Sequence, residues 1–195
     1  MRSSRAWCAK TAERRVRGAW LLALALAASP AHADWSAFAP GGARFSVELP
    51  GNPTVERDST WTPVGSVHMT KYWLRVGDAL LAVEQHDIPP VAASFISDEM
   101  ILDQARDSLL RDVDGTLIES RAVAFEGAPA RDFRYRLPGD ARLVERVLAV
   151  LVDRRLYLVT GMARDPIEDP QVARFFGSFR CWRVSGSGGV PANTP

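Results

Sequence analysis

Two adjoining stretches, residues 142–152 and 155–162, set the strongest limit on how this chain can fold. In the first, Leu148, Val150 and Val152 occupy one parity while Val147, Ala149 and Leu151 occupy the other. Successive side chains of a strand point to opposite faces, so a strand apolar on both parities must be covered on both. The chain supplies two helices that can do so. Ser97 is placed to cap the first, with Asp98 and Glu99 at the positive end of the helix dipole. Ile101, Leu102, Ala105, Leu109 and Val113 form one stripe, and Gly115 is expected to supply a left-handed stop. The second helix opens on Asp169 with Pro170 at its first position. Its Val172, Phe175, Phe176 and Phe179 fall at helical spacing, an aromatic stripe that has to be buried.

The remaining segments read as strands. From Arg44 the alternation of Phe45, Val47 and Leu49 ends at the turn PGNP, a weaker strand spans 54–61, and residues 63–66 form a second turn. Gly77 and Asp78 suit a two-residue hairpin. Setting Val76 opposite Ala79 pairs Leu74 with Leu81 and Tyr72 with Val83 on one face, and Trp73 with Ala82 and Lys71 with Glu84 on the other. A slip by one residue would scramble both faces. Further strands are expected over 117–125 and 130–137. The predicted class is α+β: a largely antiparallel sheet of about six to eight strands with one helix on each face, a three-layer α/β/α sandwich.

Residues 1–33 have the form of a secretory leader: a basic start, the apolar run AWLLALALAA, and small residues in SPAHA that predict cleavage after Ala33. Val16 and Arg17 after Arg14 and Arg15 favour the general secretory route over the twin-arginine one, and no Cys stands at the cleavage point for a lipid. Loss of the leader removes six of the 24 basic residues and one of the 23 acids, leaving 18 against 22 and a net charge of −4 on 162 residues. A mildly acidic domain has no charge reason to seek nucleic acid or anionic membranes. A chain of about 160 residues buries roughly 68–70% of its unfolded surface, enough for one core. The expected organisation is therefore leader 1–33, one domain 34–184 and a disordered Gly/Ser/Pro-rich tail 185–195, in the periplasm or secreted, with no permanent membrane span. Cys181 is the only thiol beyond the leader, which excludes an internal disulfide there; its apolar setting predicts a buried, inert group.

In order along the chain, RFSVELPGNP (44–53), GAPARDFRYRLPG (127–139), RRLYLVTG (154–161) and ARFFGSFR (173–180) resemble the exported bacterial domains of the PsbP-like α/β/α fold, similar in layout to DcrB-like periplasmic proteins. The resemblance implies a fold rather than a reaction. Relatives of that fold include the accessory PsbP protein of photosystem II, a Ran-binding nuclear-transport factor and effector chaperones, which act mainly by binding other proteins. It brings no catalytic motif onto these residues.

Motifs with chemical content are few. DVDGTL (112–117) resembles the nucleophile motif of the HAD phosphatases, but it ends an amphipathic helix instead of a buried parallel strand. That family's downstream lysine has no counterpart, since Lys71 is the only lysine after the leader. The motif also lacks the glycine and glutamate positions of a calcium loop. His68 and His86 fall on different faces of the hairpin, so a zinc site wanting three or four converging ligands is not expected. His68 opposite Asp87 reads as an edge hydrogen bond, and the charges Glu119, Arg121, Asp132 and Arg134 as a solvated face. No cofactor and no catalytic residue is assigned. The expected role is a non-enzymatic protein- or peptide-binding accessory module whose partner is another envelope or exported protein. The alternative is a small-ligand carrier or hydrolase with a pocket between sheet and helix. The expected contact surface is the hairpin face holding Met69, Lys71, Trp73, Arg75 and His86, together with Trp61, where aromatic and Arg groups mix with apolar ones.

Overall fold

The computed structural model describes residues 34–62, 65–140, 142–165 and 169–183; the expected leader, the expected tail and part of the 63–66 turn lie outside them. All described residues belong to one unit. In chain order the elements are β1 (Ser36–Phe38), β2 (Phe45–Leu49), β3 (Thr54–Thr62), β4 (Gly65–Val76), β5 (Ala79–Asp87), α1 (Pro90–Phe95), α2 (Asp98–Asp112), β6 (Thr116–Phe125), β7 (Ala128–Arg136), β8 (Leu143–Val152), β9 (Arg155–Arg164), α3 (Pro170–Ser178) and β10 (Arg180–Cys181). The α+β class is as expected.

A seven-stranded sheet runs β3-β4-β5-β9-β8-β7-β6, every pairing antiparallel. The hairpin register is the expected one, from Val76↔Ala79 through Lys71↔Glu84 to His68↔Asp87, with Gly77 at φ 59 in the turn. The doubly apolar strands β8 and β9 sit at the centre beside β5, as their two-faced burial demands. β2 departs from the expected sheet. It forms a separate three-stranded sheet with β1 and β10, because its partners are two very short strands that show no alternation of their own.

One face of the large sheet is closed by α3 and this small sheet. Phe175 and Phe179 are fully buried with Phe45 and Tyr157, whose rings pack edge-on or tilted about 6 Å apart. Tyr157 donates its hydroxyl to the Ala43 carbonyl at 2.7 Å, tying the small sheet to β9. Gly161 lets α3 approach: a Cβ there would meet Val172 Cγ1 at 2.7 Å and Phe176 Cε2 at 2.8 Å. The other face is covered by α2, which lies on β7 and β8 and buries Ile101 and Leu102 against Phe133, Val147 and Leu151.

Ser97 caps α2 as expected, accepting from the Met100 amide. The stop differs from the expectation. Asp114, at φ 52, takes the left-handed position, and Gly115 donates to the Leu110 carbonyl at 2.8 Å while Asp114 donates to Arg111. This is the doubly bonded Schellman ending, one residue earlier than the glycine suggested. Gly115 is needed instead for space, since a Cβ there would lie 2.8 Å from Tyr135 Cδ2.

Candidate functional site

α2 rests on β7 and β8, so the part of its sheet face formed by β3, β4 and β5 lies beyond the helix. Period-two alternation brings Met69, Lys71, Trp73 and Arg75 of β4 and Leu80, Ala82, Glu84 and His86 of β5 to this region. Met69 and Trp73 are half-buried and Arg75 is exposed. The Trp73 indole donates to Glu56 of the edge strand at 2.9 Å, which fixes the ring. Five of the six expected contact residues thus share one face. Trp61 does not. It pairs with Ser66, which has the parity of His68 and Tyr72, so its ring, 76% exposed, belongs to the opposite face. The reason is register: only the β3–β4 pairing, which the weak alternation of β3 left open, decides its side.

Where this region meets α2 there is a half-enclosed cleft of about 200 Å³. Its polar lining is Lys71, Glu84, Tyr135, Glu145 and Thr160, and its apolar walls include Leu80, Leu158 and Met162 from the sheet and Leu109 and Val113 from α2. Sheet register assembles it, setting Lys71 beside Glu84, Leu80 beside Met162, Met162 beside Glu145, and Glu145 beside Tyr135.

The two carboxylates of the cleft have different surroundings. Glu84 accepts from Lys71 at 2.8 Å and lies 3.3 Å from His86 Nε2. Burial pushes its carboxyl up, but the bonds to His86 and Lys71 outweigh that and hold it below the usual value. Glu145 has no cation within ion-pair distance among the described residues. Burial raises its carboxyl above the usual value and the charge of Glu84 adds to this, against the weaker pull of Tyr135 and Lys71. The Tyr135 hydroxyl is wholly buried and its hydrogen-bond partner is the Glu145 carboxyl beside it. Burial first, and then the negative Glu145 beside it, make the phenol harder to ionise. A carboxyl desolvated beside a second acid is costly to folding.

Sequence reasoning did not single out Glu145, Tyr135 or Thr160. The available signal was a lone acid at position 145 on the same parity as Val147, Ala149 and Leu151. Two further expectations are corrected. Asp132 is buried, not solvated: Arg146 on the neighbouring strand grips both its oxygens at 2.9 and 3.1 Å while lying 4.5 Å over the Phe176 ring. Asp87 does not serve His68; it accepts from Arg155 at 2.7 Å. The aspartates of DVDGTL lie at the exposed end of α2, away from any parallel strand end. Cys181 is buried on the α3 side, and burial, with a contribution from Glu126, lifts its thiol to about 12. Among the described residues no group of three or more His, Cys, Asp or Glu is placed to hold a metal. No helix among them is long and apolar enough to cross a membrane.

No family model matches this chain, and no curated protein matches it in sequence. Among solved structures it is similar to cyanobacterial PsbP (CyanoP) from Synechocystis, with a TM-score of 0.53 and 14% identity over 77% of this chain and 94% of that one. A protein of unknown function from Pseudomonas aeruginosa, described as a putative regulator, matches at a TM-score of 0.32 and 12% identity, over 68% of this chain and 85% of that one. At such identity the first likeness concerns the fold alone, and the fold of this protein is PsbP-like.

Proposed function

We propose that the protein is a non-enzymatic binding module of the cell envelope whose contact surface is the β4–β5 face beside α2. The observation that carries this reading is the concentration there of half-buried Trp73 and Met69, exposed Arg75 and the charged cleft, on the part of the sheet beyond the covering helix. Aromatic and Arg anchors around a concave site are what protein interfaces use. The partner is another envelope or exported protein, reached after removal of residues 1–33. An intact mass beginning at Asp34 in periplasmic material is the expected result for export, and a retained Cys8 would contradict it.

The binding claim is tested by capture from periplasmic extract with wild type, the Trp73→Ala, Arg75→Ala double variant and Trp61→Ala as the control on the opposite face. Each is first shown to be folded by thermal melting. The same bands from wild type and Trp61→Ala, lost in the double variant, are expected; capture unchanged in the double variant sinks the reading.

A second reading, a small-ligand carrier, is favoured by one specific observation. Glu145, with no cation within ion-pair distance among the described residues, lines a half-enclosed cleft of about 200 Å³.

A further inference from the structure

The two edges of the seven-stranded sheet are guarded differently. β3 carries Glu56, Arg57 and Asp58 in succession, charges that discourage a further strand. β6, the other edge, has neither lysine nor proline, and its Leu117, Ile118 and Val123 are exposed. Among the described residues no strand pairs with its outer side, so a row of backbone N–H and C=O groups there is open to one. A bulge between Leu117 and Glu119 bends the start of β6 but leaves 119–125 in regular register with β7.

The order of charges on β6 decides what kind of strand fits. Glu119 and Arg121 flank Ser120 and share the parity of Phe125, whose ring packs on Phe179, so both lie on the α3 side of the sheet. A second β6 laid antiparallel about a two-fold axis at Ser120 sets Glu119 opposite Arg121 of the second copy and Arg121 opposite its Glu119. Ser120 then faces Ser120, and Ile118 faces Ala122. Each charge keeps its inner partner: Arg134 lies 3.1 Å from Glu119, and Asp132, gripped by Arg146, lies 3.5 Å from Arg121. Their outer sides are open, the Glu119 and Arg121 side chains being 39% and 60% exposed. Pairing therefore extends a line of alternating charge from Arg134 through Glu119 to Arg121, Asp132 and Arg146 of the second copy. The β3 edge has no such match. Its acids Glu56 and Asp58 share one face and Arg57 takes the other, so no two-fold pairing that continues the sheet sets opposite charges together.

We propose that two copies of this chain pair antiparallel through their β6 strands about an axis at Ser120, joining their large sheets into one. The bulge confines the ladder to about five residues a side, 118–122, well short of the roughly 800 Å² per partner of a standard interface. Association is accordingly weak, half complete on the order of 0.1 mM. The pairing is independent of the reading of the β4–β5 face, which lies toward the β3 edge of each copy.

The test is sedimentation velocity of the processed protein from about 1 μM to about 1 mM, where a reversible monomer–dimer equilibrium is expected. Glu119→Arg and Arg121→Glu, each first shown to be folded by thermal melting, set like charges across the axis twice and are each expected to weaken the dimer at least about tenfold. An equimolar mixture of the two is expected to dimerise about as tightly as wild type, because one strand then carries arginine at both positions and the other glutamate at both. That recovery separates the interface from the inner pairs with Arg134 and Asp132, which the variants disturb equally whether alone or mixed. Ser120→Cys keeps the charges and places a thiol against itself on the axis; mild oxidation is expected to give a covalent dimer, and Thr60→Cys on the β3 edge is expected to give none. Wild type that stays monomeric throughout the concentration range overturns the proposal. So does a dimer that neither charge reversal weakens, a mixture that associates no better than the single variants, or a Ser120→Cys protein that crosslinks no faster than Thr60→Cys.

Discussion

On one side of the seven-stranded sheet, α3 and the small β1-β2-β10 sheet close over Phe45, Tyr157, Phe175 and Phe179; on the other, α2 covers β7 and β8 and ends at a cleft holding Lys71, Glu84 and Glu145. On the first side two buried polar groups are tied into the layers. Tyr157 finds the Ala43 carbonyl, and Asp132 finds Arg146. The second buries a carboxyl, Glu145, whose close partner is the Tyr135 phenol and not a cation. Two tyrosines that are both fully buried therefore serve different ends: Tyr157 fastens a structural layer, whereas Tyr135 bonds to a carboxyl in the wall of the cleft. The contrast separates a side closed by aromatic packing from a side where a desolvated carboxyl faces a cleft.

The contrast should first appear as a difference in what substitution costs. Phe175→Ala on the closed side is expected to lose about 3–5 kcal/mol in denaturant unfolding, because the ring is fully buried and its neighbours cannot collapse into the space. A loss below about 1 kcal/mol would mean that the closed side is not the stabilising one. Gly161→Ala should follow, at about 1–3 kcal/mol, since the new methyl would drive against Val172 and Phe176 of α3.

Effects beside the cleft are smaller and depend on pH. Glu84→Gln is expected to cost about 1–2 kcal/mol near neutrality by leaving the Lys71 ammonium without its carboxylate. Because the Glu84 carboxyl sits below its usual value in the folded chain, this contribution is present above that value and fades as pH falls through the folded one. Unfolding curves at several pH values would show the two proteins converging in acid. Trp61→Ala, on the exposed β3 edge, should change stability by no more than about 0.5 kcal/mol; a larger loss would mean that the ring packs on the fold.

The sequence exposed the parts of this architecture governed by local periodicity. The doubly apolar run 143–152 required two covering layers, and the pairing of opposite charges at Lys71 and Glu84 fixed the hairpin register. The aromatic spacing of 172–179 identified the helix that closes one side. Long-range pairing was not legible. β1 and β10 are three and two residues long, too short to show alternation, so the small sheet could not be foreseen. The side on which Trp61 lies depended on a β3–β4 register that no residue in 54–62 specifies. For the same reason half of the cleft was hidden. Lys71 and His86 were visible as members of one hairpin face, but Glu145 and Tyr135 come from strands on the far side of β9 and meet them only once the sheet is ordered. Asp132 read as a surface charge because its partner Arg146 lies in the next strand, 14 positions on.

The central claim is that the α2 side keeps a buried carboxyl at a cost to the fold, and Glu145→Gln tests it most directly. Burial holds the Glu145 carboxyl above its usual value, so the folded chain binds the proton more tightly than the unfolded one. Relative to the neutral variant, the wild type should lose stability as pH rises from about 4.5 through the raised folded value, and the whole cost should stand above it. Unfolding free energies measured across that range should show Glu145→Gln as the more stable protein at pH 7 and the two as equal in acid. A variant less stable than wild type at pH 7 would show that the bond from Tyr135 outweighs the cost of burial, and would contradict the account.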